Sequence, residues 1–433
     1  MKNNGKKNIV IIGGSFAGLT AAYELKRETG DRHNIILIDR NSRFTFIPSL
    51  IWVPLGKRSV EEISFPLQPA LESKGIEFLQ ASVERIDPER QIVELVGSEQ
   101  TNGSPAASQI RYDYLLVATG PHVDFAAVEG LGPHGGYTVS ICNADHAQQA
   151  GKAWREFLKD PGPIIIGATQ GAACFGAAYE FVFNVEYALR QAGLRDRVPI
   201  TYVTSEPFAG HFGIGGLKHA QGMTEWFFRH TKIDWALDAV IEKVTPGKVH
   251  FKQGRFHSAA ASNGATKDLS GQSLPFKYAM IIPPFLGVEA VRRSGLGNER
   301  GFIVVDDYFR HLKYPNIFAA GVSVAVAPPA PCPAGCSVPK TGYISEVMAK
   351  FAAQNIVASI EGKPLTPKPS TEIDAKCLLD AGNQGIIMLT DRIYAPSQRK
   401  LQLMIPGPWA HWAKVAFEKY FIWKMRTGRA NLP

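Results

Sequence analysis

The stretch Lys7-Asn-Ile-Val-Ile-Ile-Gly-Gly-Ser-Phe-Ala-Gly-Leu-Thr-Ala-Ala-Tyr-Glu24 sets an unbroken apolar run against a glycine-rich turn and a helix-forming segment, and Asn34-Ile-Ile-Leu-Ile-Asp39 follows it. An apolar run without alternation is a strand buried on both faces, and two such runs around a helix make a parallel βαβ unit. The turn follows Gly-x-Gly-x-x-Gly, with Gly13 and Gly18 in the first and third places, Phe16 and Ala17 between them, and Ser15 where a second glycine lets backbone approach a pyrophosphate. Serine is small, so that approach is strained rather than blocked. Asp39 lies 21 residues past Gly18, where a carboxylate takes the ribose hydroxyls of an adenosine.

Two later runs repeat the type: Tyr112 to Gly120, ending in Ala118-Thr119-Gly120, and Tyr314 to Val322, ending in Gly321-Val322. Between them Pro163-Ile-Ile-Ile166 opens a second strand, turn and helix, and Ile200 to Ser205 continues it. A turn that binds a nicotinamide nucleotide would carry glycine near 169 and 172, yet Thr169 and Ala172 stand there and Cys174 follows. These segments resemble the two-dinucleotide-binding flavoproteins, whose FAD domain is split by an inserted second Rossmann-like domain. The resemblance implies an α/β fold of two such domains: 7–125 with 300–362 for FAD, 126–299 inserted, and 363–433 as a C-terminal region. The polar stretch Gln253 to Ser273 is expected to be an exposed insertion, and Ala327 to Pro339 a Pro/Ala-rich loop before a helix.

A formal charge of +8 favours an anionic partner, and its distribution narrows the choice. No basic cluster interleaved with aromatics occurs in the body of the chain, which argues against nucleic acid. The C-terminal stretch combines Lys414, Lys419, Lys424, Arg426 and Arg429 with Trp409, Trp412, Phe417, Tyr420, Phe421 and Trp423, the signature of a helix lying on a membrane surface. No run approaches the ~20 apolar residues of a spanning helix, and the polar start lacks a secretory apolar core, so a cytoplasmic location is expected. Five widely spaced cysteines in such a chain point to redox sulfur rather than a structural disulfide framework.

Six ordered stretches narrow the resemblance: Ser140 to His146, Gly171 to Glu180, Ser205 to His211, Pro339 to Tyr343, Cys377, and Ala413 to Phe421. They are similar to the sulfide:quinone oxidoreductases of the acidophile type, a subgroup that Val322 also resembles, since most flavoproteins of this fold carry aspartate there. The resemblance implies that Cys174 and Cys377 flank the flavin, bridged by a disulfide or short sulfur chain. Hydrosulfide attacks that bridge, the released thiolate passes electrons to FAD, and a persulfide grows on the partner cysteine. A helix N-terminus after the second turn is expected to help lower the pKa of Cys174. Cys142 matches the family's third cysteine, linked to sulfide access, product release or covalent flavin attachment. His146, His211 and Glu180 match proton-moving residues, each equally readable as structural. Lys340 and Thr341 match the segment that stabilises negative charge on the reduced flavin.

Phe417 matches an aromatic that stacks on the quinone ring and Lys414 a neighbour assisting its protonation. The family attaches here to the cytoplasmic side of the cell membrane as a peripheral, monotopic enzyme using ubiquinone or another quinone. Relatives continue into a second amphipathic segment, so a weaker membrane affinity is expected; a homo-oligomer is compatible. Cys332 and Cys336 match nothing in the family pattern, and their spacing allows a local disulfide or an additional sulfur trap; no metal site is expected. Two rivals stay open: a type II NADH:quinone dehydrogenase, opposed by Thr169 and Ala172, and a membrane-associated flavin-binding redox sensor without turnover.

Overall fold

The computed structural model describes residues 5–96, 108–261 and 265–432. The first strand, Asn8–Ile12, lies at the centre of a five-stranded sheet ordered 317–319, 114–117, 8–12, 34–39, 77–80. Its pairings are parallel on both sides, Ile9 opposite Ile35 and Ile9 opposite Tyr114. Ile9, Val10, Ile11, Leu115, Leu116 and Val117 are fully buried, as a strand covered on both faces requires. Phe16–Thr29 and Gly342–Glu361 are neighbouring helices of this domain, so segments more than 300 residues apart build one unit.

The second sheet begins with the parallel strands 278–282, 164–168, 200–204 and 233–245, each apolar over most of its length. It then turns antiparallel through 248–257, which carries 266–268 and 273–275. The stretch Gln253 to Ser273 is exposed over most of its length, as expected, yet 253–257, 266–268 and Ser273 are strands of this sheet; 262–264 lie outside the described residues. Leu269 is buried while Thr266, Lys267 and Asp268 are exposed, and such one-sided burial makes the stretch look polar in sequence.

The C-terminal region forms a three-stranded antiparallel sheet, 375–380, 385–390 and 402–407, followed by the helix Pro408–Arg426. The sheet packs against both the helix Phe175–Gln191 and the C-terminal helix. Each glycine turn follows the carboxyl end of a parallel strand, the first after 8–12 and the second after 164–168, the end at which ligands bind in sheets of this kind.

Candidate active site

The first turn packs backbone directly against backbone. Gly13 has φ of 108°, and a Cβ there would overlap the Ala118 carbonyl; one on Gly18 would overlap the carbonyl of Gly13. Gly14 N–H donates to Asp39 Oδ2 at 2.5 Å, fixing the carboxylate beside the turn, and Asp39 Oδ1 accepts from Asn41 N–H at 2.7 Å. Ser15 is the N-cap of Phe16–Thr29 but makes no side-chain cap bond, which leaves the first N–H groups of the helix free to bind an anion. Ala118-Thr119-Gly120 meets Gly321-Val322 across the sheet, and Thr119 Oγ1 lies 3.2 Å from Ser323 Oγ.

Thr341 caps the helix Gly342–Glu361, and its hydroxyl is buried without a partner. Lys340 Nζ donates to Val324 O at 2.6 Å, and burial, then Arg300, pull its pKa down to about 7. An open helix N-terminus, an orphaned hydroxyl and an adjacent lysine fit FAD: the first turn for its pyrophosphate, Asp39 for its ribose, and residues 340–341 for its ring.

The sulfur residues arrive from three directions. Cys174 is the N-cap of Phe175–Gln191, Cys377 lies in the strand 375–380 and Cys142 just before the helix 144–157; all three are partly buried free thiols. They share one electrostatic field, since charge on Cys174 raises the pKa of both Cys142 and Cys377. Burial pushes Cys377 up to about 12, with Glu180 and Cys174 adding and Lys414 opposing. Burial pushes Cys142 to about 12 against a hydrogen bond from Ser140. At Cys174 the helix start does help through the Ala177 N–H, as expected, yet burial outweighs it and the net shift is upward.

Glu180 is buried one and a half turns into the same helix. Its Oε1 accepts from the Asp380 N–H at 2.6 Å and from Lys414 Nζ at 2.5 Å. Burial raises its pKa to about 6 and Lys414 offsets part of that rise. Lys414 is thus an enclosed ion-pair partner at 2 % exposure, with its ammonium also over the Trp52 ring at 5.1 Å. Phe417 is half-buried, edge-on to Phe46 and tilted against Phe421.

His146 is a buried ring held by Ser140 Oγ at 3.2 Å and by His134, Nε2 to Nε2 at 2.9 Å; burial and then His134 lower its pKa. His211 accepts from Gly213 N–H at Nδ1, which leaves Nε2 buried without a hydrogen bond. Cys332 and Cys336 form a disulfide, and among the described residues no cluster suits a metal ion.

Sequence motifs did not reveal Asp380, which accepts from Trp52 Nε1 at 2.8 Å and from His411 Nδ1 at 2.6 Å. The available signal was spacing: Asp380 lies three residues past Cys377, and His411 three before Lys414.

Fold and site together define a flavoprotein of Rossmann-type domains whose second turn carries Thr169 and Ala172 with Cys174 just after them. In agreement, the family described as pyridine nucleotide-disulphide oxidoreductase matches residues 7–330. A curated relative, the sulfide-quinone reductase of Aquifex aeolicus, is 36% identical over 98% of this chain and 92% of its own length. The solved structure of the sulfide:quinone oxidoreductase from that bacterium superposes with a TM-score of 0.86, at 36% identity over 98% of this chain and 92% of that one. The mitochondrial sulfide:quinone oxidoreductase of Mus musculus is 23% identical over 72% of this chain and 64% of that protein. NDH2 from Plasmodium falciparum, solved with NADH, shares the fold at a TM-score of 0.66 and 14% identity, covering 98% of this chain and 96% of that one. This chain belongs to the sulfide:quinone oxidoreductase family.

Proposed function

We propose that the chain oxidises sulfide to polysulfide or sulfur at Cys174 and Cys377 with bound FAD and reduces a membrane quinone. The observation that carries this reading is the convergence of Cys174, from the start of one helix, and Cys377, from a distant strand, within one electrostatic field beside Glu180. Bound FAD supplies a two-electron acceptor between sulfur and quinone.

The chain's own groups do the rest. Cys174 and Cys377 are free thiols in this structure; in the oxidised protein, where they are bridged, hydrosulfide attacks the bridge and leaves a persulfide on one sulfur and a thiolate on the other. The thiolate at Cys174 is held by the Ala177 N–H at the helix start. Glu180, raised to about 6, is mostly ionised at neutral pH and takes a proton at its carboxylate, with Lys414 and the Asp380 N–H on Oε1 fixing its orientation. Cys142 and His146 share Ser140 and are assigned to sulfide access; His211 is assigned to proton movement. Phe417 and Lys414 are assigned to the quinone side, Lys414 acting through Glu180.

Membrane attachment is supported by an apolar ridge. Leu401, Leu403 and Ile405 are exposed on alternate residues at the edge strand, and Trp409, Trp412 and Trp423 are exposed on the helix that follows. Among the described residues no helix is long and apolar enough to cross a membrane, so we assign peripheral attachment, on the cytoplasmic side, with the domain limits given above.

An anaerobic titration tests the reading. Sulfide should bleach the flavin and a ubiquinone analogue restore it, while NADH should do neither. Cys174→Ser should retain FAD but lose sulfide bleaching; bleaching by NADH instead would favour the dehydrogenase.

A further inference from the structure

The Cys332–Cys336 disulfide takes no part in the mechanism above, yet its loop is fastened to the turn that carries Cys174. Gly171 N–H donates to Gly335 O at 2.7 Å, and Ser337 N–H donates to Ala172 O at 2.8 Å. Ser205 Oγ donates to Gly335 O at 2.9 Å and stands 3.8 Å from Cys336 Sγ, while the Ser205 carbonyl lies 3.4 Å from Cys332 Sγ. The Pro331 carbonyl, next in sequence to Cys332, faces the buried His211 ring, whose Nε2 closes no hydrogen bond. The loop lies where the second Rossmann-like domain would otherwise expose its glycine turn, and the cross-link holds it there.

We infer that this disulfide is a second point of hydrosulfide attack, and that its opening releases the loop covering the turn before Cys174. The inference rests on the proposed function only for the presence of hydrosulfide. Cys332 is the more accessible sulfur, half-buried where Cys336 is buried, so it is the one attacked. The sulfur of HS⁻ bonds to Cys332 Sγ, the Cys332–Cys336 bond breaks, and its electron pair leaves on Cys336 as a thiolate. The hydrosulfide proton passes to that thiolate, since a persulfide is the stronger acid, giving Cys332–S–S⁻ and Cys336–SH. Ser205 Oγ, 3.8 Å from Cys336 Sγ, can turn its one hydrogen from Gly335 O to the departing sulfur. No further oxidant or reductant is needed, and the step reverses when sulfide falls, because Cys336 thiolate can expel HS⁻ and reclose the bond. Reactivity of this kind makes the loop a cover opened by the substrate itself.

The test maps sulfur on the intact holoenzyme. Wild-type protein is treated anaerobically with sulfide, alkylated and digested with trypsin; Tyr314 to Lys340 forms one peptide holding both cysteines. The expected product carries two alkyl groups and one additional sulfur atom. An intact disulfide in that peptide while the flavin bleaches would overturn the inference and leave the proposed function standing. A persulfidated peptide without flavin bleaching would do the reverse. In the second arm, sulfide-driven flavin reduction of the rested wild type should show a lag that Cys332→Ser/Cys336→Ser loses; equal time courses would remove the gating role.

Discussion

At the scale of single residues, the site turns on carboxyl and thiol groups that burial makes reluctant to ionise. Glu180 shows what this does: a carboxyl raised to about 6 gains its proton as pH falls through that value and can no longer accept one. Sulfide-dependent flavin reduction should therefore fall below about pH 6, and Glu180→Gln should lose that limb and run about 10²-fold slower, in the range of a positioned proton acceptor. Because hydrosulfide titrates too, the quantity to read is the ratio of the two rates at each pH by stopped flow. A ratio independent of pH would make Glu180 purely structural. The thiols give a second expectation. With Cys142 and Cys377 both pushed to about 12 and Cys174 relieved by a backbone N–H, the reduced protein should be alkylated first at Cys174, as peptide mapping would show. Cys174 and Glu180 were singled out because they follow the second glycine turn, and Cys377 only through the family resemblance, having no motif around it. Asp380 and His411 were not, since a buried carboxylate that ties a strand to a helix follows no local pattern.

At the scale of elements, the C-terminal helix was legible as a helix but not in its orientation. Its inward stripe contains Ala410, Lys414, Glu418, Phe421 and Met425, with Lys424 beside it, so charge points into the protein. Each buried charge has a partner on a different element. Lys414 pairs with Glu180, Glu418 accepts from Arg58 Nε at 3.0 Å and Ser49 Oγ at 2.6 Å, and Lys424 pairs with Glu346 at 2.7 Å. The tryptophans are left outward, which inverts the ordinary amphipathic expectation. The two faces predict separable losses. Lys424→Met strands Glu346 as a buried unpaired charge and should cost about 3–5 kcal/mol in thermal or denaturant unfolding. Trp412→Ser, at an exposed position, should leave unfolding unchanged and weaken co-sedimentation with lipid vesicles by about tenfold, the equivalent of ~1.4 kcal/mol of lost indole burial. Vesicle binding indifferent to Trp409 and Trp412 together would move the membrane face elsewhere.

At the scale of the whole molecule, the two parallel sheets were readable because strands buried on both faces are written as continuous apolar runs closed by glycine turns. The antiparallel strands 248–257, 266–268 and 273–275, and those of 375–407, were not, since one-sided strands mix polar with apolar residues and leave no continuous apolar run to read. The C-terminal piece joins the bodies: its sheet packs on the helix that Cys174 caps, and Arg399 donates to the carbonyls of Gly216 and Ile214 across the same junction and to that of Ile393 within its own region. Glu206 anchors the adjoining loop from within. It is fully buried and accepts from Thr204 Oγ1 at 2.8 Å, Tyr179 Oη at 2.9 Å and Phe212 N–H at 2.5 Å. Burial nevertheless raises its pKa from an ordinary 4.5 to about 7. A carboxyl raised on folding binds its proton more tightly in the folded state, so its contribution is fully present below 4.5 and is lost as pH rises through about 7. The amount is on the order of 3 kcal/mol. His146 and His211, held below 6.5 by burial, act in the opposite sense, with stability present above 6.5 and lost as pH falls through their lowered values. They are common to wild type and Glu206→Gln, so they cancel in the difference between the two proteins. Relative to the variant, wild type should lose stability on going from about pH 5 to about pH 8. Parallel unfolding curves across that range would place the Glu206 proton on solvent rather than on the fold.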